Sequence, residues 1–104
     1  MSVLLELAMF PTDKGVSVSS YVARIIAMFD RKDLNYRLTP MGTVIETDDL
    51  ETGLKAIADA YRELEPDCGR VYATVKLDIR KGKGGRLTRK IESVESKMGK
   101  KART

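Results

Sequence analysis

The spacing of hydrophobic positions along the chain switches repeatedly between two periods, and each switch marks an element. Residues 2–10 alternate, with Val3, Leu5, Leu7 and Met9 to one side and Leu4, Glu6, Ala8 and Phe10 to the other, which predicts a strand. The turn residues of Pro11–Gly15 predict a loop. Val18, Val22, Ile25, Ile26 and Phe29 then recur at helical spacing, predicting a helix from about Val18 to Asp30 with Ser17 placed to cap it. Leu34, Tyr36 and Leu38 return to alternation, and a third strand follows through Val44, Ile45 and Glu46. Between them stand Pro40, which cannot donate to a sheet ladder, and Gly42, which marks a turn or a close backbone approach. Leu38–Glu46 therefore reads as two antiparallel strands meeting at a tight corner. Leu50, Leu54, Ile57, Tyr61 and Leu64 predict a second helix stripe, begun by Asp48 or Asp49 and ended before Pro66; Asp48 with Glu51 resembles a capping box. In residues 70–80, Val71, Ala73, Val75, Leu77 and Ile79 point to a core and Tyr72, Thr74, Lys76, Asp78 and Arg80 point away. Lys81–Gly85 (KGKGG) is a turn, Leu87, Ile91, Val94 and Met98 predict a last amphipathic helix, and residues 99–104 read as a frayed basic tail.

This order, β-α-β-β-α-β with a further helix, predicts an α+β fold: a ferredoxin-like antiparallel sheet with two helices on one face plus a C-terminal amphipathic helix. The expected strand order is fourth, first, third, second. At 104 residues the chain is expected to form one domain over residues 1–98, followed by the basic tail at 99–104. Glu6 and Glu46 are then neighbours on the helix-free face if Glu46 points that way. A mid-strand carboxylate such as Glu6 needs solvent, an ion-pair partner or a ligand. Leu4, Ala8, Val44 and Tyr72 make the same face apolar enough to pair with a second copy of the chain. Its polar members, Glu6, Arg37, Thr39, Glu46, Thr74, Lys76 and Asp78, either neutralise one another or line a pocket at the subunit boundary.

Composition narrows the chemistry. The chain has no histidine and one cysteine, Cys68. Histidine-based metal sites, Ser-His and Cys-His nucleophile systems and an internal disulfide are excluded, and no catalytic set or metal motif is expected. No apolar run approaches the roughly 20 residues of a membrane helix, MSVLLELAMF is a poor signal peptide, and the lone cysteine suits a reducing cytoplasm. Beyond Lys81 basic residues greatly outnumber Glu92 and Glu95, so the net charge of +4 is carried by the C-terminal segment. KGKGG lacks the spacing of a phosphate loop.

Three stretches, SVSSYVA at the first helix, LTPMGTVIE at the corner and RVYATVKLDIR in the last strand, together resemble the thiamine-binding, YkoF-like family of small cytosolic proteins. The resemblance covers nearly the whole chain. It implies a ferredoxin-like fold, a homodimer or homotetramer, no cofactor, no established catalysis, and thiamine or its hydroxymethylpyrimidine part as ligand. Carried onto this sequence, it points to Ser17, Ser19, Thr39, Met41, Gly42, Thr43, Glu46, Lys76 and Asp78; Thr47 stands where many members have glycine. The residues agree in kind. An aminopyrimidine offers an amine that Glu6 or Glu46 would accept from, a hydroxyl or backbone N–H would serve a ring nitrogen, and Met41 and Phe10 offer apolar contact. Met41 is more often packing than a ligand contact, and Ser19 more often only starts a helix. The rival reading is a nucleic-acid-binding protein that uses the basic C-terminal segment, because RNA-recognition domains share the fold. The first and fourth strands lack their aromatic motif.

Overall fold

A computed structural model describes residues 1–104. The chain forms β1 (Ser2–Pro11), α1 (Ser19–Arg31), β2 (Asn35–Thr39), β3 (Gly42–Thr47), α2 (Leu50–Leu64), β4 (Val71–Arg80) and α3 (Arg86–Met98). The four strands make one antiparallel sheet in the order β2-β3-β1-β4. This is the ferredoxin-like arrangement the pattern predicts.

Register puts Leu5 of β1 opposite Ile45 of β3 and Leu77 of β4, so all three side chains share one face. On that face Leu5, Ile45 and Phe29 are buried with Ala60 and Leu64 to form the core. Arg24 ties the two helices at one end, pairing with Asp67 at 2.8 Å and donating to the Glu63 carbonyl. Asp59 ties them at the other, accepting from Lys32 at 2.6 Å, Lys55 at 2.9 Å and Arg62 at 3.0 Å. Those donors hold its carboxyl down at about 2.

Four local expectations are corrected. Ser17 does not cap α1: Val18 occupies the cap position and no side chain bonds to the free N–H groups. Asp49, not Asp48, caps α2, accepting from Thr52 N at 2.7 Å, so no Asp48–Glu51 box forms. The buried stripe of α2 is Gly53, Ala56, Ala60 and Leu64, while Leu54 and Tyr61 are exposed. Small residues let the helix lie close to the sheet; a Cβ at Gly53 would sit 3.3 Å from Thr47 Oγ1. Finally, Val75, Leu77 and Ile79 point to the helix face as expected, but they are 39–46% exposed. β4 is an edge strand, and α2 does not extend far enough over it to cover them.

The helix-free face is partly covered by the chain's own C-terminus. α3 rests on β1 and β3 with Leu87 buried and Ile91 half-buried, while Val94 and Met98 further along are exposed. The residues after α3 fold back, with Ala102 N donating to Glu95 at 2.8 Å.

Candidate functional site: a groove between α1 and the strand corner

β2 and β3 are joined by Pro40 and Met41 alone. Thr39 organises this corner: its hydroxyl donates to the Gly42 carbonyl at 2.7 Å and accepts from Met41 N at 3.3 Å and Gly42 N at 3.1 Å. Gly42 is required by close approach, because a Cβ there would lie 3.1 Å from the Leu7 carbonyl oxygen. The fixed corner overhangs the first half of α1. Beneath it lies a cavity of about 120 Å³, walled by Leu7, Met9 and Ile25 and bordered by Thr39, Met41 and Thr43. An open groove of about 670 Å³ adjoins it along α1, with Ser17 and Ser19 at one end and Asp30 at the other. The two spaces share Val22, Ile26, Leu38 and Pro40, so they form one continuous cleft. Its walls are apolar with a few hydroxyls and one carboxylate, the composition of a small-molecule site.

Six sequence-nominated residues meet here: Ser17, Ser19, Thr39, Met41, Gly42 and Thr43. The other four lie elsewhere. Glu6 and Lys76 face each other across β1 and β4 on the helix-free side, 3.6 Å apart. Glu46 is buried beneath the start of α3, where it accepts from Ser2 Oγ at 2.6 Å, Arg86 N at 3.0 Å and Leu87 N at 3.3 Å. Burial is the largest single influence on its carboxyl and would raise the pKa. The bonds from Ser2, Arg86 and Leu87 together outweigh it and hold the group below its ordinary value. Asp78 pairs with Arg86 at 3.0 Å, and the same guanidinium bonds the Ser2 and Asp78 carbonyls at 2.9 Å and 2.7 Å. Glu46 and Asp78 thus both engage the helix start within one subunit.

Asp30, Val22 and Ile26 were not nominated from sequence. Val22, Ile26 and Asp30 lie four residues apart along α1, on one helix face. A carboxylate in a last helix turn opposes the helix dipole, which is the signal that Asp30 has another task. In the structure it accepts from the Tyr36 hydroxyl at 2.6 Å, and this bond is the main reason the phenol's pKa is raised.

Comparison with known proteins places the chain. A UPF0045 protein of Methanocaldococcus jannaschii is 38% identical over 92 residues, covering 88% of this chain and 91% of its own. A UPF0045 protein of Methanothermobacter thermautotrophicus is 34% identical over 95 residues, covering 89% and 96%. The crystal structure of a Methanocaldococcus jannaschii protein superposes with a TM-score of 0.79 at 38% identity, over 89% of this chain and 95% of that one. A candidate thiamine biosynthesis or salvage protein of Thermotoga maritima superposes with a TM-score of 0.77, over 90% and 99%; at 17% identity this likeness concerns the fold. The sequence profile of the family described as thiamine-binding protein matches residues 5–95. The chain therefore belongs to the thiamine-binding protein family.

Proposed function

We propose that this protein binds thiamine or its hydroxymethylpyrimidine moiety, without catalysing a reaction, in the cleft between α1 and the β2–β3 corner. One observation carries the reading: the hydroxyl-bearing residues of two distant sequence motifs, Ser17 and Ser19 on one side and Thr39 and Thr43 on the other, border one apolar cleft. A flat aminopyrimidine suits the inner cavity, where Leu7, Met9 and Ile25 supply apolar walls and Thr43 a hydroxyl. The cationic thiazolium of the whole molecule would extend along the groove towards Asp30. A second copy of the chain completes the site in this reading. Its support is the exposed apolar rim, with Leu38 58% and Met41 85% accessible; the long unpaired edge of β4 at the far side of the sheet, with Val75, Leu77 and Ile79 uncovered, offers a second contact between copies. A reducing cytoplasmic setting goes with it, since Cys68 is unpaired and buried, and burial pushes its thiol up.

Calorimetric titration with thiamine and with hydroxymethylpyrimidine tests the proposal, using Ala23→Leu as the probe variant. Ala23 is an exposed residue of the outer groove, so a leucine there obstructs the groove at little cost to the helix. Saturable binding that Ala23→Leu weakens at least tenfold, with an unchanged melting temperature, is expected. Absence of heat with either ligand, or identical binding by the variant, would overturn the assignment.

A further inference from the structure

The strongest unused feature is electrostatic. Of the nineteen Lys and Arg residues, ten lie between Arg80 and Thr104, accompanied there by only Glu92 and Glu95, so the rest of the chain is net acidic. The structure gathers six of these cations around one cleft. Arg80, Lys81 and Lys83 stand on the end of β4 and the turn after it, and Arg89 and Lys90 stand on α3, across a concave cleft of about 560 Å³. Asp78 is the single carboxylate in its lining, and it is already paired with Arg86.

The cleft walls are held by specific bonds. Glu46 accepts the first two N–H groups of α3, Gly85 supplies the left-handed turn (φ 75°) that starts the helix, and the chain's N-terminal ammonium donates to the Gly82 carbonyl at 2.9 Å. Arg89 donates to the Gly84 carbonyl at 2.8 Å, while Arg80, Lys81, Lys83 and Lys90 form no ion pair.

α3 also carries three separate stripes. Leu87, Ile91, Val94 and Met98 make the apolar one; Arg86, Arg89, Lys90, Ser93 and Lys97 fall at i, i+3, i+4, i+7 and i+11 on a second face; Glu92 and Glu95 lie away from both. The basic stripe thus spans about 17 Å of helix axis; its first four positions line the cleft, and Lys97, then Lys100 and Lys101, continue beyond it. A single phosphate group would engage only part of the cleft and leave Lys97, Lys100 and Lys101 unused. A run of evenly spaced phosphates would meet both.

We propose that the β4 end, the KGKGG turn and the basic face of α3 form a binding surface for a nucleic-acid backbone, recognised by its phosphates and not by base sequence. This function is separate from the α1 groove and does not depend on it. Phosphate contacts by lysine and arginine displace condensed counterions, so affinity falls linearly with salt on logarithmic axes, by a slope of about 0.7 per contact for a single strand.

The test is fluorescence anisotropy of a labelled single-stranded RNA of about 20 nucleotides across roughly 50 to 200 mM salt. The wild-type protein is compared with Lys83→Ala/Lys90→Ala/Lys97→Ala and with the charge-matched control Lys14→Ala/Arg37→Ala/Arg70→Ala. All six positions are exposed, and none forms an ion pair, so both triple variants are expected to melt with the wild type. The expected result is salt-dependent binding, indifferent to RNA sequence, with a slope about 2 units shallower and affinity about tenfold weaker in the first variant only. Equal losses in the two variants would reduce the effect to net charge and overturn the assignment to this face. Binding that stoichiometric tripolyphosphate abolishes would make it a small-anion site, and no binding at the lowest salt would dismiss it altogether.

Discussion

Replacing Glu46 by glutamine separates a folding role from a ligand role at a strand carboxylate that the sequence nominates as a binding residue. In the structure Oε2 accepts from Ser2 Oγ and Arg86 N, and Oε1 accepts from Leu87 N. The residue is 8% exposed, so water does not replace a lost acceptor. Glutamine keeps one acceptor oxygen but turns an amide donor towards groups that are themselves donors. An unsatisfied buried donor costs about 1–3 kcal/mol, and a middle value of about 2 kcal/mol is roughly a thirtyfold change in an equilibrium. α3 is otherwise held to the sheet mainly at its first turn, by the Arg86 bonds to Ser2 and Asp78 and by buried Leu87, so the loss should appear first as undocking of the helix. Hydrogen exchange at the Arg86 and Leu87 amides should accelerate about thirtyfold, while amides of β1 and β3 change much less. The carboxylate form also carries a pH signature. Its folded pKa lies below the ordinary 4.5, so its stabilisation is present at neutral pH and is lost as pH falls below 4.5 and through the folded value. The glutamine variant should lack that dependence. The thiamine binding proposed for the α1 groove should survive in it. Unchanged exchange at α3, or binding lost without helix undocking, would refute the view that Glu46 is the anchor of α3.

Three further outcomes follow from single sites. Asp59→Asn should cost about 1 kcal/mol at neutral pH, a figure discounted for solvent around the partly exposed lysines. Because the folded pKa is about 2 against an ordinary 3.8, this contribution should fade as pH falls from about 4 to 2, readable in urea melts across that range. Gly42→Ala should destabilise by about 1–3 kcal/mol, because its Cβ would meet the backbone oxygen of Leu7, which cannot swing aside; the melting temperature should drop and ligand heats should fall with it. If β4 joins the proposed second copy, Leu77→Lys, which places a charge among its uncovered residues, should shift sedimentation towards the monomer at constant fold, whereas an unchanged mass would remove β4 from the proposed interface.

The element order was legible because periodicity reports which way a side chain points. It does not report what lies opposite. Val75, Leu77 and Ile79 alternate as cleanly as Leu5 and Leu7, yet only the β1 residues have a helix above them, since coverage depends on strand order and helix length. In α2 the reverse error arises. Large apolar residues attract attention, but the sheet-facing stripe is Gly53, Ala56 and Ala60, chosen for close approach; Leu54 and Tyr61 lie outside it. Glu46 shows why the site was only half readable. Caps are sought within four residues of a helix start, and this carboxylate accepts N–H groups 40 and 41 residues downstream. A polar residue inside an apolar strand therefore has at least three meanings in this fold. It forms a cross-strand ion pair at Glu6, anchors a distant helix at Glu46, and borders a cleft at Thr43. Sequence patterning narrows the candidates to such positions, and only the register of the strands decides between them.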